Sequence, residues 1–440
     1  MRWSRSLLFK QHTTRQAIIR PSNYAYAHPV SKAHISRMAL PISSPSPRLD
    51  RFGQAMESLY GSFSSIEDPK TWTPPPRSGG HRGRYLWTDA FGVVNFLTMH
   101  QEYKRTGNDT AGDDRYLMLA ARLVETVHDV LGKTRDGRSR LRGATDENPL
   151  SGGLRIGKTD ARGPDGDGQY HHYLTVWMFA LNRMAKASGD LKYNRQAIEL
   201  AKAIHPRFFV DRAAARPRMI WKMSMDLSEP LVKSEGNLDP IDGFVVFRLL
   251  QDTAMEAGDG AFLAEEIDDY RRTMERKGEH FVSSDPLDLG MTLWTAHWFS
   301  GRESWAADLA GKCFEQIYNL FEINQYLKRN IRFRLAFREF GTCMGIQCQS
   351  EVREKERAVD LKCYSDAIIA AWDPYMQLSI SDDLTPEDLR PITRVMYASA
   401  LIPGGKLNQT IFYNEPGILT HLSIPAFQAG FLGPEPTPTP

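Results

Sequence analysis

Five acidic residues open segments with helix-like apolar spacing, and they are the first candidates for chemistry. They stand in WTDAFG (Asp89), DGQYHH (Asp167), DPIDGF (Asp242), DPLDLG (Asp288) and REFGT (Glu339). Each could be an ordinary helix cap. An ionised carboxylate and a desolvated, protonated one can instead act together as general base and general acid. We predict that Asp89, Asp167 and Asp242 are catalytic, with Asp167 facing one of the other two.

Aromatic, basic and imidazole side chains accompany these acids. Aromatic rings offer faces for a ring-shaped ligand, and arginine pairs with carboxylate or phosphate. A histidine in a first helical turn can act as acid or base, although only one of two adjacent residues can point the same way. The predicted binding residues are Trp87, Arg155, Tyr170, His171, His172, Trp221, Asp288, Arg338 and Glu339.

The connection 142–169 contains two motif-like stretches that we interpret as coincidences. Residues 152–159 (GGLRIGKT) match the phosphate-binding pattern GxxxxGK[ST]. DENP precedes this stretch and DARGP follows it, so neither the required strand nor the required helix is in place. A calcium loop starting at Asp165 would need glycine where Tyr170 stands and glutamate where Val176 stands. No histidine motif for a metal is present either, and we predict neither metal nor cofactor.

Helical periodicity dominates the chain and must position these residues. Apolar residues recur at three- and four-residue spacing over 85–103, 116–130, 170–184, 193–204, 244–255, 262–281, 289–299 and 305–321. Gly-Asp pairs in the breaks can end one helix and cap the next. Runs with the period of a β-strand are almost absent. The predicted fold class is all-α, with paired helices in an array, and the register beyond residue 331 is left open.

Three features of the sequence occur together. They are repeated helix pairs, acids at the starts of their first helices, and an aromatic-rich segment (Tyr170, His171, His172, Tyr173, Trp177). In these features the chain resembles the six-hairpin glycosidase-like superfamily over about residues 51–432. The resemblance implies an (α/α)6 toroid of helical hairpins, in which the first helices form an inner ring with their N-termini at one mouth.

The resemblance implies a carbohydrate or a glycosylated small molecule as substrate and leaves three functions open. In the first, paired carboxylates hydrolyse a glycosidic bond. In the second, His171 or His172 moves a proton during epimerisation, isomerisation or elimination. In the third, the toroid binds a ligand without catalysis.

Composition excludes several classes of partner. Fifty-five Lys and Arg against 53 Asp and Glu give a net charge of +2, without the basic footprint of a nucleic-acid-binding protein. No apolar stretch is long enough for a membrane-spanning helix. Four cysteines in 440 residues are typical of a reducing compartment rather than of a secreted disulfide framework. We interpret them as structural thiols, with a zinc site as the alternative, and expect an intracellular protein.

The two ends of the chain are predicted to lie outside the toroid. Residues 1–49 contain no Asp or Glu and eight Lys or Arg, the composition of a mitochondrial presequence. The alternative is an untargeted, disordered tail in a cytoplasmic protein, with Met38 as the true start. Residues 1–50 and 433–440 are therefore expected to be disordered, with the toroid between them at 51–432.

Overall fold

The computed structural model describes residues 48–76, 84–106, 114–163, 165–215, 217–349, 355–377 and 385–403. The predicted presequence up to residue 47, the alternative start at Met38 and the predicted tail 433–440 lie outside these residues.

Twelve α-helices are present in the described residues, in two concentric layers. The inner helices are α2 (Leu86–Thr106), α4 (His171–Ser188), α6 (Asp239–Glu256), α8 (Pro286–Ser300), α10 (Ala336–Cys348) and α12 (Arg390–Leu401). The outer helices are α1 (Arg48–Tyr60), α3 (Arg115–Leu131), α5 (Lys192–Phe208), α7 (Ala264–Glu279), α9 (Ser304–Tyr318) and α11 (Lys355–Met376). The all-α prediction is confirmed.

Burial separates the two layers. In α4 every residue from His171 to Ala185 is buried, because this inner helix is covered on all sides. In α3 burial follows one stripe of Leu119, Leu123 and Val127 at helical spacing, so this outer helix exposes its other face to solvent. The apolar stripe drives each outer helix onto the inner ring, at roughly 25 cal/mol for each Å² of apolar surface removed from water.

The inner helices form a closed ring in chain order, since each packs on the next and α12 packs on α2. The first five hairpins join neighbours in sequence, whereas the sixth pairs α12 with α1 from the other end of the chain. Asn95 on α2 donates to the carbonyl of Val395 on α12 at 3.1 Å, and Arg51 on α1 pairs with Asp373 on α11. The predicted (α/α)6 toroid is confirmed.

Helix boundaries follow the predicted Gly-Asp chemistry. Gly189 ends α4 with φ +73°, a left-handed conformation that glycine adopts without strain. At α8, Asp285 caps the helix by accepting from the Leu287 amide at 2.8 Å. Proline follows the cap at the first helical position, where its missing N–H costs nothing.

Sheet is limited to two antiparallel pairs of two-residue strands in the described residues: β1 (Gln169–Tyr170) with β4 (Lys222–Met223), and β2 (Phe209–Val210) with β3 (Arg218–Met219). The β1–β4 pair fixes the segment that leads into α4. Within the same residues, every helix is too short or too polar to traverse a lipid bilayer.

Candidate functional site

The first turns of five inner helices meet around a small cavity at one end of the ring. Its lining is Trp87, His172, Tyr173, Leu287, Phe337, Arg338 and Ile392. Three of the predicted binding residues, Trp87, His172 and Arg338, therefore come together here. The rings of Trp87 and His172 lie edge to face, with centroids 5.6 Å apart. The Trp87 Nε1 has no hydrogen-bond partner among the described residues.

Beside this cavity lie two histidines and three carboxylates, which we call the histidine–carboxylate cluster: His171, His172, Asp239, Asp242 and Asp288. The Oδ1 of Asp239 is 3.3 Å from His171 Nδ1 and 3.8 Å from His172 Nδ1. Burial acts to raise the pKa of Asp239, but the two adjacent imidazoles outweigh it and hold that pKa below its usual range. Asp239 is thus an ionised carboxylate that faces both histidines.

Sequence reasoning missed Asp239 as a site residue. The signal was present, because DPID (239–242) and DPLD (285–288) repeat one motif at the starts of neighbouring inner helices. The predicted residues were the second acid of each copy, Asp242 and Asp288. In the structure the first acids differ: Asp239 faces the histidines, whereas Asp285 caps α8 and pairs with Arg338.

His171 is fully buried behind His172. Its Nε2 lies 2.6 Å from the hydroxyl of Tyr270 on outer helix α7, and its backbone amide donates to Trp221 at 3.0 Å. Gly243 permits this approach of α7, since a Cβ there would stand 2.1 Å from the Tyr270 ring. His172, the other member of the predicted pair, reaches the cavity.

Asp242 and Asp288 complete the cluster without an arginine or lysine as hydrogen-bond partner in the described residues. Asp242 accepts a hydrogen bond from Thr295 at 2.8 Å, and its Oδ2 has no partner among those residues. Asp288 accepts from Asn237 and Ser283, each at 3.0 Å. Burial raises the pKa of both carboxyls, most strongly at Asp242, and the charge of Asp239 adds to each shift. Carboxyls whose pKa values are displaced in opposite directions can serve proton transfer.

Asp89 lies at the start of α2, and one of its hydrogen-bond donors is on α1. It accepts from the Tyr60 hydroxyl at 3.0 Å and is 3.5 Å from Arg84, which also donates to the carbonyl of Pro74. Burial raises the pKa of Asp89, and Arg84 opposes that effect. The contacts of Asp89 are those of a helix start anchored to its neighbours.

Asp167 lies in the connection that leads to α4. One oxygen accepts from Arg135 at 2.8 Å and from Arg155 at 3.1 Å, and the other from the amides of Gly157, Lys158 and Gly168 at 3.0–3.3 Å. The phosphate-like motif at 152–159 thus turns two of its amides toward a carboxylate of the chain itself. In the described residues neither strand nor helix flanks that motif.

The remaining predicted residues lie apart from the cluster. Glu339 on α10 is bonded by Arg334 at 2.8 Å and by Trp372 at 2.9 Å. No contact in the described residues joins Asp167 to Asp89 or Asp242, and each has its own partners. Their catalytic roles stay a prediction.

Tyr170 and Trp221 line a second, larger cleft of about 1560 Å³ beside the cluster. Their rings meet edge to face at 5.3 Å, and the Tyr170 ring also lies 5.2 Å from that of Tyr173, which lines the small cavity. Five basic and five acidic side chains line the cleft, namely Arg135, Arg140, Arg142, Arg162, Lys222, Asp136, Asp165, Asp167, Asp226 and Glu229. This balance of donors and acceptors, with an aromatic corner, suits an uncharged polyhydroxylated ligand.

Within the described residues, no three or more His, Cys, Asp or Glu side chains are arranged so that they could hold a metal ion. Cys313 and Cys343 are buried free thiols, and burial raises the pKa of both. They contribute to the apolar core, as structural thiols do.

Comparison with protein-family models and with curated protein sequences gives no match. Solved structures do match. A family 76 glycoside hydrolase from a bovine Bacteroides thetaiotaomicron strain is 15% identical over 81% of this chain and 78% of that chain, with a TM-score of 0.50. The GH76A alpha-1,6-mannanase from Salegentibacter sp. HEL1_6 is 12% identical over 80% and 98%, with a TM-score of 0.50. A D-mannose isomerase is 10% identical over 82% and 100%, with a TM-score of 0.51. This chain therefore shares the (α/α)6 toroid fold of these solved structures.

Proposed function

We propose that the chain is a carbohydrate-active enzyme in which His172, backed by Asp239, moves a proton next to the carbonyl group of a sugar. The observation that carries the proposal is the position of His172 between an ionised carboxylate and the cavity at the mouth of the ring. Enzymes that act on sugars share this fold, which supports the substrate class by analogy only.

The proposed reaction is an isomerisation or epimerisation of an open-chain sugar. His172 Nδ1 faces Asp239, so its Nε2 is the nitrogen that takes the proton from the carbon beside the carbonyl. The electron pair passes to the carbonyl oxygen and forms an enediolate. In isomerisation the former carbonyl oxygen takes up a proton as the adjacent hydroxyl gives one up, and the proton held by His172 passes to the former carbonyl carbon. In epimerisation a proton from water adds to the opposite face of the first carbon, the carbonyl forms again, and the proton held by His172 returns to solvent. No net redox change occurs.

The acids of the cluster suit the charge that develops on the substrate oxygen. Burial raises the pKa of Asp242 and so favours its protonated form, which could donate a hydrogen bond to an oxyanion. Arg338 on the cavity wall is ion-paired with Asp285, and its guanidinium could donate a further hydrogen bond to the substrate. The larger cleft, with Tyr170 and Trp221, offers space for the rest of the sugar.

A second candidate is glycoside hydrolysis, because Asp239 and Asp242 have pKa values displaced in opposite directions. Unlike carboxylates are the requirement for that chemistry. Asp242 would be the acid that protonates the leaving group, and Asp239 would activate water or attack directly.

The test is proton exchange in D2O over a panel of aldoses and ketoses, followed by NMR. We expect deuterium to enter at the carbon beside the carbonyl, and His172→Asn to slow this by about 10²–10⁴-fold, the usual contribution of a general base. Asp89→Asn is measured beside it; on this proposal it keeps its activity per folded molecule, whereas a loss of activity would support the predicted catalytic role of Asp89. Release of reducing ends from glycosides that survives His172→Asn but not Asp242→Asn would favour hydrolysis instead.

A further inference from the structure

The contact between Tyr270 and His171 has no part in the chemistry above, yet it joins the outer layer of helices to the cluster. The Tyr270 hydroxyl lies 2.6 Å from His171 Nε2, and Tyr270 is fully buried. Phe208 and Phe247 pack against the same histidine and tyrosine, at 5.2 Å and 4.8 Å respectively. A polar pair enclosed by aromatic rings has little access to water, so its hydrogen bond fixes the state of the imidazole.

The direction of that hydrogen bond follows from the opposite side of the ring. His171 Nδ1 lies 3.3 Å from Asp239 Oδ1, within ion-pair distance, although neither atom has a hydrogen-bond partner among the described residues. The negative charge of the carboxylate favours the tautomer with the proton on the nitrogen beside it. A neutral imidazole then has a bare Nε2, which accepts from the Tyr270 hydroxyl. Burial raises the pKa of Tyr270 well above its usual value, and the hydroxyl therefore keeps its proton.

We infer that Tyr270 is a positioning residue that holds His171 as its Nδ1–H tautomer, so that both histidines present Nδ1 to Asp239. The inference rests on the proposed function, because it gives the tyrosine a role in setting the basicity of His172. The negative charge of Asp239 acts on both His171 and His172. Without the tyrosine, His171 is released to the other tautomer and more of that charge acts on His172.

Other titratable groups surround the pair on every helix that packs against it. They are His172 on α4, His205 on α5, Asp239 and Asp242 on α6, Glu266 and Asp269 on α7, and Asp288 on α8. Burial lowers the pKa of His205 to about 3, so this histidine stays neutral across the working range. Asp242 and Asp288 have raised pKa values, which leaves Asp239 as the charge that His171 faces directly.

A parallel arrangement on the other side of the ring supplies a matched control. Tyr60 on outer helix α1 donates to Asp89 at 3.0 Å, and a Cβ on Gly92 would stand 2.0 Å from its hydroxyl. Tyr270 likewise packs over Gly243, where a Cβ would stand 2.1 Å from the ring. Each pair is a buried tyrosine fitted into the notch of an inner-helix glycine. Only the Tyr270 notch adjoins histidine.

The experiment compares Tyr270→Phe with Tyr60→Phe in the full chain. Nitrogen-15 NMR of the histidine rings should show His171 with a protonated Nδ1 and a bare Nε2, and Tyr270→Phe should abolish that assignment. We also expect Tyr270→Phe to lower the rate of proton exchange by about tenfold, about 1.4 kcal/mol, and to move the acidic limb of its pH profile to higher pH. Tyr60→Phe should leave the tautomer and the profile unchanged.

Gly243→Ala provides a second route to the same state, since the added methyl displaces the Tyr270 ring; Gly92→Ala is its control. A His171 that is protonated on Nε2, or on both nitrogens, in the unmodified protein would overturn the inference. So would a Tyr270→Phe profile that superimposes on the original. The NMR result does not depend on turnover. If NMR shows the expected tautomer but no proton exchange is detected, the proposed reaction is refuted and the role of Tyr270 in holding the tautomer still stands.

Discussion

Buried acids lie at the starts of inner helices in two parts of the same ring, and the partners of these acids differ between the two parts. Asp89 and Glu339 each have an arginine five residues earlier in the chain, Arg84 and Arg334, which folds back onto the carboxylate. At Asp288 the residue five positions earlier is Ser283, which donates a neutral hydrogen bond at 3.0 Å. A buried acid with an arginine is neutralised as an ion pair. A buried acid without an arginine either stays protonated or pairs its charge with a histidine.

The comparison shows that a carboxylate at a helix start is not by itself a site. On the proposed function, the arginine-bound acids hold the helix starts in place and the acids of the histidine–carboxylate cluster take part in proton transfer. The following substitutions test that division.

The largest effect is expected from Asp239→Asn. The amide removes the negative charge that both histidines face, so the proton-transfer rate should fall by about 10²–10⁴-fold. The variant should still fold, because the amide keeps the size of the carboxylate. Proton exchange in D2O, with circular dichroism as the check on folding, measures both. A rate within about threefold of the original would remove Asp239 from the chemistry.

Asp167→Ala should instead cost stability, about 3 to 5 kcal/mol, the usual penalty for breaking a buried ion pair. Arg155 is almost fully buried and would lose its carboxylate partner, and three backbone amides would lose their acceptor. Chemical denaturation measures the loss. The control is Asp146→Ala, which removes an exposed pair with Arg140 and should cost about 0–1 kcal/mol. Activity lost per folded molecule of Asp167→Ala would support the predicted catalytic role of Asp167.

Asp242→Asn should have a smaller, pH-dependent effect on stability. The pKa of Asp242 is raised in the folded state, so its contribution is complete below the unfolded pKa of about 3.9 and is lost as pH rises toward the folded pKa. The asparagine does not titrate. Its stability relative to the unmodified protein should therefore grow with pH, by at most about 1.4 kcal/mol per unit. Melting temperatures over a pH series test this. Parallel curves for the two proteins would show that Asp242 ionises normally.

The sequence predicted the architecture well because each hairpin is encoded locally. Apolar spacing placed α2 to α9, and Gly-Asp pairs marked their ends, as at Gly189. The sixth hairpin was not predictable in this way, since α1 and α12 come from opposite ends of the chain. Their pairing has no local signal.

The site was predicted only in part, for a similar reason. Trp87, His172 and Arg338 were found because their helix starts meet at one mouth. Whether a given acid is neutralised depends on partners that the fold brings in, such as Arg135 for Asp167, which is 32 residues away. Arg84 and Arg334 stand only five residues before their acids, so these two pairs could have been predicted from the sequence. Tyr270 comes from an outer helix and had no sequence signal.

The sixth hairpin also has a consequence for synthesis of the protein. Arg51 and Asp373 are 322 residues apart, so the ring cannot close until nearly the whole toroid has left the ribosome. At roughly 5–20 residues per second, α1 and the exposed flank of α2 wait on the order of tens of seconds for α12 and α11. During that interval α1 lacks the inner helix on which it mainly packs, so apolar side chains of α1 that are fully buried in the closed ring, such as Phe52, are incompletely covered. Nascent chains that stop before α12 therefore expose apolar surface that the closed ring buries.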